Sequence, residues 1–98
     1  MDVVDEFVTL VHAVGEYTVG ALGKENLTGL RVDADRRESS AFITIALADP
    51  SNAAQRSAIE TMFEVEELYA DEISLTYVFV DRLDEAAAVS PAPQYSYA

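Results

Sequence analysis

The chain has 98 residues, half of them hydrophobic, and its 18 Asp and Glu against 6 Lys and Arg give a formal net charge of −12. This length allows one domain with a modest core. On folding, a domain of this size buries only about 60–65% of the surface that the unfolded chain exposes. Such an acidic surface repels phosphates, so we expect neither nucleic acid nor a membrane as a partner.

Residues 3–22 are predicted to form the first helix, because apolar side chains recur there at spacings of three and four. Gly15 and Gly20 weaken its second half, each by about 1 kcal/mol relative to Ala. Gly23 is a natural stop for a helix. The predicted apolar face comprises Val4, Phe7, Val8, Val11, Val14 and Tyr17.

Residues 27–34 and 41–48 are predicted to form the two strands of a β-hairpin. Polar and apolar side chains alternate in the first strand, which is typical of a strand with one face buried. The second strand is apolar on both faces. A short polar link, residues 35–40, joins them, as in most hairpins.

A second helix is predicted from about residue 51 to residue 70, following a break at Pro50. Its core side is expected to carry Ile59, Met62, Phe63, Val65, Glu66 and Tyr69. Its opposite side carries a candidate acidic face made of Glu60, Glu64 and Glu67. Carboxylates in such a row could hold calcium or magnesium. A solvated helix face is the more common interpretation of the same pattern.

The last strand is predicted at residues 73–81, where β-branched and aromatic residues dominate. The organisation is therefore one α+β domain at residues 1–83, followed by a flexible or extended tail at residues 84–98. We expect a two-layer α/β sandwich in the order α-β-β-α-β, with both helices on one face of a three-stranded, mainly antiparallel sheet. In the favoured strand order, the last strand pairs with the first strand of the hairpin.

The second face of this sheet is more apolar than water usually meets. Its candidate interaction surface comprises Phe42, Thr44, Ala46, Thr76, Val78 and Val80. If the hairpin faces the other way, Ile43, Ile45 and Leu47 replace the first three. Apolar patches commonly mark interaction sites, so we expect this face, or the edge beside it, to contact a second copy or another protein. Alternatively the tail covers it, through Val89, Tyr95 and Tyr97.

The residues that carry chemistry are few. The chain has no cysteine, and His12 is its one histidine, so thiolate and zinc sites are excluded. The serines have no nearby base with which to form a catalytic triad. The N-terminal residues lack the basic region of a signal peptide, and no apolar run approaches the roughly 18 residues of a membrane span. We therefore expect a cytoplasmic protein without catalytic residues, metal or cofactor.

The leading hypothesis is a small acidic, non-enzymatic protein-interaction module that forms a homodimer, as an immunity-type protein or an accessory subunit. One alternative is an inhibitor of a basic protein that mimics nucleic acid with its carboxylates. Another is a small-ligand binder with a pocket between helices and sheet, lined by Tyr17, Tyr69 and Tyr77. The negative charge could also be an adaptation to high salt, in which case it indicates no partner.

Overall fold

The computed structural model of the chain describes residues 6–81 and 95–97. The elements in chain order are α1 (Glu6–Leu22), a 3-10 turn (Lys24–Asn26), β1 (Leu27–Asp35), β2 (Ser40–Leu47), α2 (Asn52–Tyr69), β3 (Ser74–Val80) and β4 (Tyr95–Tyr97). The end of α1 and both boundaries of α2 and of β1 to β3 lie within one residue of the predicted ones. The predicted start of the first helix, at residue 3, lies outside the described residues. The predicted tail is described only where it forms β4.

The strands form one mixed sheet in the order β3-β2-β1-β4. β1 is antiparallel to both β2 and β4, whereas β2 and β3 are parallel. The prediction of a three-stranded, mainly antiparallel sheet was therefore wrong in strand number and in strand order. The reason is that α2 carries the chain back along the sheet between β2 and β3, which is the crossover that parallel neighbours require. β4 then occupies the edge of β1.

The core lies between the helices and one face of the sheet. The sheet contributes alternate residues of β1 and β2, because successive side chains of a strand point to opposite faces. The sheet residues of this core are Leu27, Leu30, Val32, Ala41, Ile43, Ile45 and Leu75, and the helices add Val11, Val14, Val19, Leu22, Ala58, Met62 and Val65. Burying each of the larger side chains contributes about 1.5–3 kcal/mol.

The start of α2 is stabilised by two local hydrogen bonds. The Ser51 side chain accepts a hydrogen bond from the backbone N–H of Ala54 at 3.2 Å. The Asp49 carboxylate accepts one from the N–H of Ser51 at 2.9 Å. Because the first N–H groups of a helix have no partner within the helix, a serine at this position satisfies one of them. No described helix is both long and apolar enough to cross a lipid bilayer.

Phe63 does not belong to the core, and its prediction as a core residue was wrong. Its side chain is 62% exposed, whereas the neighbouring Met62 is fully buried. The buried line of α2 runs through Ala58, Met62 and Val65, at spacings of four and three. Phe63 is rotated about 100° away from Met62, because a helix has about 3.6 residues per turn.

Gly15 allows β4 to approach α1. A Cβ atom at this position would overlap the ring of Tyr95. The His12 ring meets the same tyrosine ring edge to face, with 5.8 Å between the ring centroids. Tyr95 and Tyr97 thus pack on the helix side of the sheet, so these two residues do not cover the opposite face. Val89 lies outside the described residues.

The Met62→Ala and Phe63→Ala variants test the orientation of α2. We expect Met62→Ala to lower the free energy of unfolding by about 2–5 kcal/mol, because it leaves a cavity in the core. Phe63→Ala should cost less than about 1 kcal/mol, as surface substitutions do. Urea unfolding in dilute solution measures both. Equal losses in the two variants would contradict the orientation described here.

Alanine substitutions at the two glycines within α1 test the docking of β4. Gly20→Ala meets no atom within 4 Å, so it should stabilise the helix by up to about 1 kcal/mol. Gly15→Ala should instead destabilise the protein by about 1–3 kcal/mol, because the new methyl group overlaps Tyr95. Thermal unfolding gives the sign of each change. Stabilisation by both substitutions would show that β4 does not rest on Gly15.

Candidate interaction surface

The six residues of the predicted interaction surface share one face of the sheet, opposite the helices. We call this the open face. The strand register places them in three lateral pairs: Phe42 with Thr76, Thr44 with Val78, and Ala46 with Val80. Their neighbours along β2 and β3 point into the core, so the alternation of the two strands brings these six side chains together.

The accessible part of the open face lies along β3. Thr44 and Ala46 on β2 are only 3% and 0% exposed. Thr76 and Val78 on β3 are exposed, and Val78 retains 39% of its surface. The central strand is thus shielded, whereas the outer strand is in contact with solvent. A partner would meet β3 first.

An ion pair occupies the β1 side of the open face. The Arg31 Nε lies 3.3 Å from the Asp33 Oδ2, and the two side chains are 15% and 7% exposed. An Arg31 Nη2 also donates to the Asp33 Oδ1 at 3.4 Å. Asp33 lines a groove of about 380 Å³ together with Phe42 and Thr76. A cationic ligand in this groove would compete with Arg31 for the carboxylate.

β3 is an edge strand among the described residues, because only β2 pairs with it. The backbone N–H of Ser74 donates to the Ser39 carbonyl at 2.9 Å. The backbone N–H and C=O groups of the even-numbered residues of β3 therefore point towards β2. The backbone groups of Leu75, Tyr77 and Phe79 therefore point away from the sheet. Ser74–Val80 contains no charged residue and no proline, the usual features that prevent edge strands from pairing with other chains.

Aromatic side chains flank this edge on the helix side. The rings of Tyr77 and Phe79 are in edge-to-face contact, with 5.8 Å between their centroids. Burial raises the pKa of Tyr77, and the charge of Glu66 on α2 raises it further. Ile59, Phe63 and Glu66 are spaced four and three residues apart, so they share one flank of α2. This flank faces β3, because Gln55, four residues before Ile59, lines a groove with Phe79 and Val80. The exposed Phe63 thus lies beside the open edge.

Phe63 and the outward backbone groups of β3 were missed by sequence reasoning. We define the β3 edge surface as Phe63, Thr76, Tyr77, Val78 and Phe79 together with these backbone groups. The sequence does carry one signal for it, a run of seven residues without charge, proline or glycine at Ser74–Val80. That signal marks a strand that can pair on both sides, but it does not tell which side is left open.

The acidic face of α2 lies in solvent, with Glu60, Glu64 and Glu67 all exposed. Within residues 6–81 and 95–97, no group of three or more His, Asp and Glu side chains could hold a metal ion. The groove between the two helices and β2 has a volume of about 140 Å³. None of the tyrosines proposed to line a ligand pocket borders it; Tyr17 and Tyr69 instead contact each other edge to face.

Comparison with protein-family models and with curated proteins finds no match to this chain. Function is therefore inferred from the surfaces described above.

The tyrosine pKa values predict how stability depends on alkaline pH. The pKa values of Tyr69, Tyr77 and Tyr95 are raised above 10.0, first by burial and then by nearby glutamates. Above this pH the unfolded chain loses protons that the folded chain retains, so the free energy of unfolding should fall. Urea unfolding at about pH 9 and pH 11 measures the change. Stability that stays constant or rises over this range would contradict the assignment.

A matched pair of variants isolates the contribution of one glutamate. Glu66→Gln should lower the pKa of Tyr77 towards its usual value, because it removes the charge that stabilises the protonated phenol. Glu67→Gln, on the exposed side of the same helix, should leave it unchanged. NMR titration of the tyrosine rings follows each group separately. Equal effects of the two variants would show that Glu66 does not face Tyr77.

Proposed function

We propose that this chain is a small, acidic, non-enzymatic protein-interaction module of the cytoplasm that forms a homodimer through the β3 edge surface and the adjoining open face. The observation that carries the proposal is the edge strand Ser74–Val80, which has neither charge nor proline. Soluble proteins usually protect such an edge, because its unpaired N–H and C=O groups can bind a strand of another chain. In the described part of the chain, no strand pairs with the outer side of β3.

Exposed apolar side chains beside the edge support the same conclusion. Phe63 is 62% exposed and Val78 39% exposed, one on each side of the strand. An isolated exposed apolar residue is normal on a protein surface, but a group of them flanking an unpaired strand edge favours an interaction site. Covering this group in a complex stabilises that complex by about 25 cal/mol for each Å² of apolar surface removed from water.

The environments of the titratable side chains support a role without catalysis. His12, the one histidine of the chain, packs against the ring of Tyr95. Asp33, the buried carboxylate of the open face, pairs with Arg31. Acid–base chemistry requires groups whose pKa values are moved apart by a shared cleft. These two groups lie on opposite faces of the sheet and are engaged in packing and pairing.

A complex with a basic protein is the second candidate, and the exposed row of Glu60, Glu64 and Glu67 favours it. An immunity-type protein or a mimic of nucleic acid would use such a row to bind lysines and arginines. Salt separates the two candidates. It screens the repulsion between two copies of charge −12 and so strengthens a homodimer, but it weakens a complex with a basic protein.

Analytical ultracentrifugation of the purified chain tests the homodimer. We expect a concentration-dependent dimer whose dissociation constant falls as salt rises from about 0.1 M to about 1 M, which shortens the Debye length from about 10 Å to about 3 Å. The Val78→Lys variant should weaken the dimer at least about tenfold, since it places a charge on the contact surface.

The matched control is Thr9→Lys, which adds the same charge at an exposed position of α1, away from β3. It should leave the dissociation constant within about twofold of that of the unsubstituted chain. The small change expected is a slight strengthening of the dimer, because the added lysine reduces the repulsion between the two copies. A monomer at every concentration and salt level would refute the homodimer. The same loss in both lysine variants would refute the involvement of β3.

A further inference from the structure

We infer that two copies join by antiparallel pairing of their β3 strands. The two-fold axis that relates the copies passes between their two Tyr77 residues. This pairing joins two four-stranded sheets into one continuous sheet of eight strands. The inference rests on the proposed homodimer and specifies its register and its contacts. Closed two-fold pairing is the commonest symmetry of protein dimers, and it lets both copies use the same surface.

The positions of the outward backbone groups select this register. Only Leu75, Tyr77 and Phe79 direct their N–H and C=O groups away from β2. In an antiparallel pair, two residues that face each other exchange both hydrogen bonds or neither. An axis at Tyr77 places the two Tyr77 residues opposite each other and Leu75 opposite Phe79 of the second copy. All the outward groups are then paired, whereas any shifted register leaves some of them without a partner.

The side chains suit the same register. On the helix side, the two Tyr77 rings meet, and Leu75 meets the Phe79 ring of the second copy. On the open face, Thr76 lies opposite Val78 of the second copy, and Ser74 opposite Val80. Pairs of β-branched and aromatic residues stabilise neighbouring strands, and like charges directly opposite would destabilise them. Ser74–Val80 contains no charge, so this repulsion does not arise along the strand.

Phe63 lies close to the proposed axis. It lies on the flank of α2 that faces β3, because Gln55 on that flank lines a groove with Phe79 and Val80. Glu66, about one turn after Phe63, acts on Tyr77 beside the axis. The Phe63 side chains of the two copies therefore come near each other above the paired strands. Association would cover a ring that is 62% exposed in the single chain.

The contact area indicates a weak dimer. The 7 residues of β3 span about 23 Å, at about 3.3 Å per residue. A sheet and its helix layer present an edge about 20 Å deep. Each copy therefore buries about 450 Å² of its surface, and the two copies together bury about 900 Å². Stable specific interfaces usually bury about 1,200–2,000 Å². A second copy is thus bound reversibly, and the fraction of dimer depends on concentration.

Cysteine cross-linking tests the register, because the chain contains no native cysteine. Thr76→Cys and Val78→Cys lie on exposed positions of the open face, so neither should disturb the fold. In the proposed register, residue 76 of one copy opposes residue 78 of the other, with Cα atoms about 4.5 Å apart, within disulfide range. Residue 76 of one copy and residue 76 of the other are diagonal neighbours, about 7–8 Å apart, and the same holds for the two copies of residue 78. Both of these pairs are too far apart for a disulfide.

Mixing and oxidising the two variants should therefore give the mixed 76–78 dimer in about tenfold excess over either symmetric product. The control is Ser96→Cys, exposed on β4 at the other edge, which should form no specific product with either variant. In the unmodified chain, Phe63→Ala should raise the dissociation constant about tenfold, the equivalent of about 1.4 kcal/mol.

The outcomes separate this inference from the proposed function. A preferred 76–78 disulfide supports both. A dimer in the ultracentrifuge without this preference overturns the Tyr77 register and leaves the homodimer standing. A monomer under all conditions, with no specific disulfide, overturns both. Cross-linking of Ser96→Cys in preference to the β3 pair would place the contact at the opposite edge and overturn the inference.

Discussion

The parallel pairing of β2 with β3 is the constraint on which the surface of this protein depends. The helix α2 connects the two strands and covers the helix side of β3, which leaves β3 at the rim of the sheet. Its outer backbone groups then point away from the described sheet, and Phe63 on α2 is exposed. Had β3 paired with β1, as sequence reasoning favoured, it would have filled the edge that β4 occupies, and β2 would be the edge strand on the other side.

Local periodicity predicts the end of α1 and both ends of α2 and of the three long strands to within one residue, because it reflects which side chains face the core. Strand neighbours are not predictable in this way, since Ser74–Val80 is equally suited to pairing with β1 or β2. Tyr95–Tyr97 is too short for a recognisable strand pattern, and its docking depends on the space at Gly15. Phe63 was misplaced because an apolar residue adjoining the buried line of a helix resembles a member of it.

The candidate interaction surface was predictable in part for the same reason. The alternation along β2 and β3 correctly groups Phe42, Thr44, Ala46, Thr76, Val78 and Val80 on one face. It does not show that Thr44 and Ala46 are shielded or that an Arg31–Asp33 ion pair lies beside them. These properties arise from long-range contacts. They shift the accessible apolar surface from the middle of the sheet to its β3 edge.

Two opposing effects set the behaviour of this edge, namely the gain from pairing an uncharged strand and the repulsion between copies of charge −12. Hydrogen exchange at the β3 amides, measured over a range of protein concentrations, separates them most directly. The Thr76 and Val78 amides, which face β2, should be protected at every concentration. The Leu75, Tyr77 and Phe79 amides should exchange rapidly in dilute solution and become protected as concentration and salt rise. Rapid exchange of these three amides under all conditions would contradict the account.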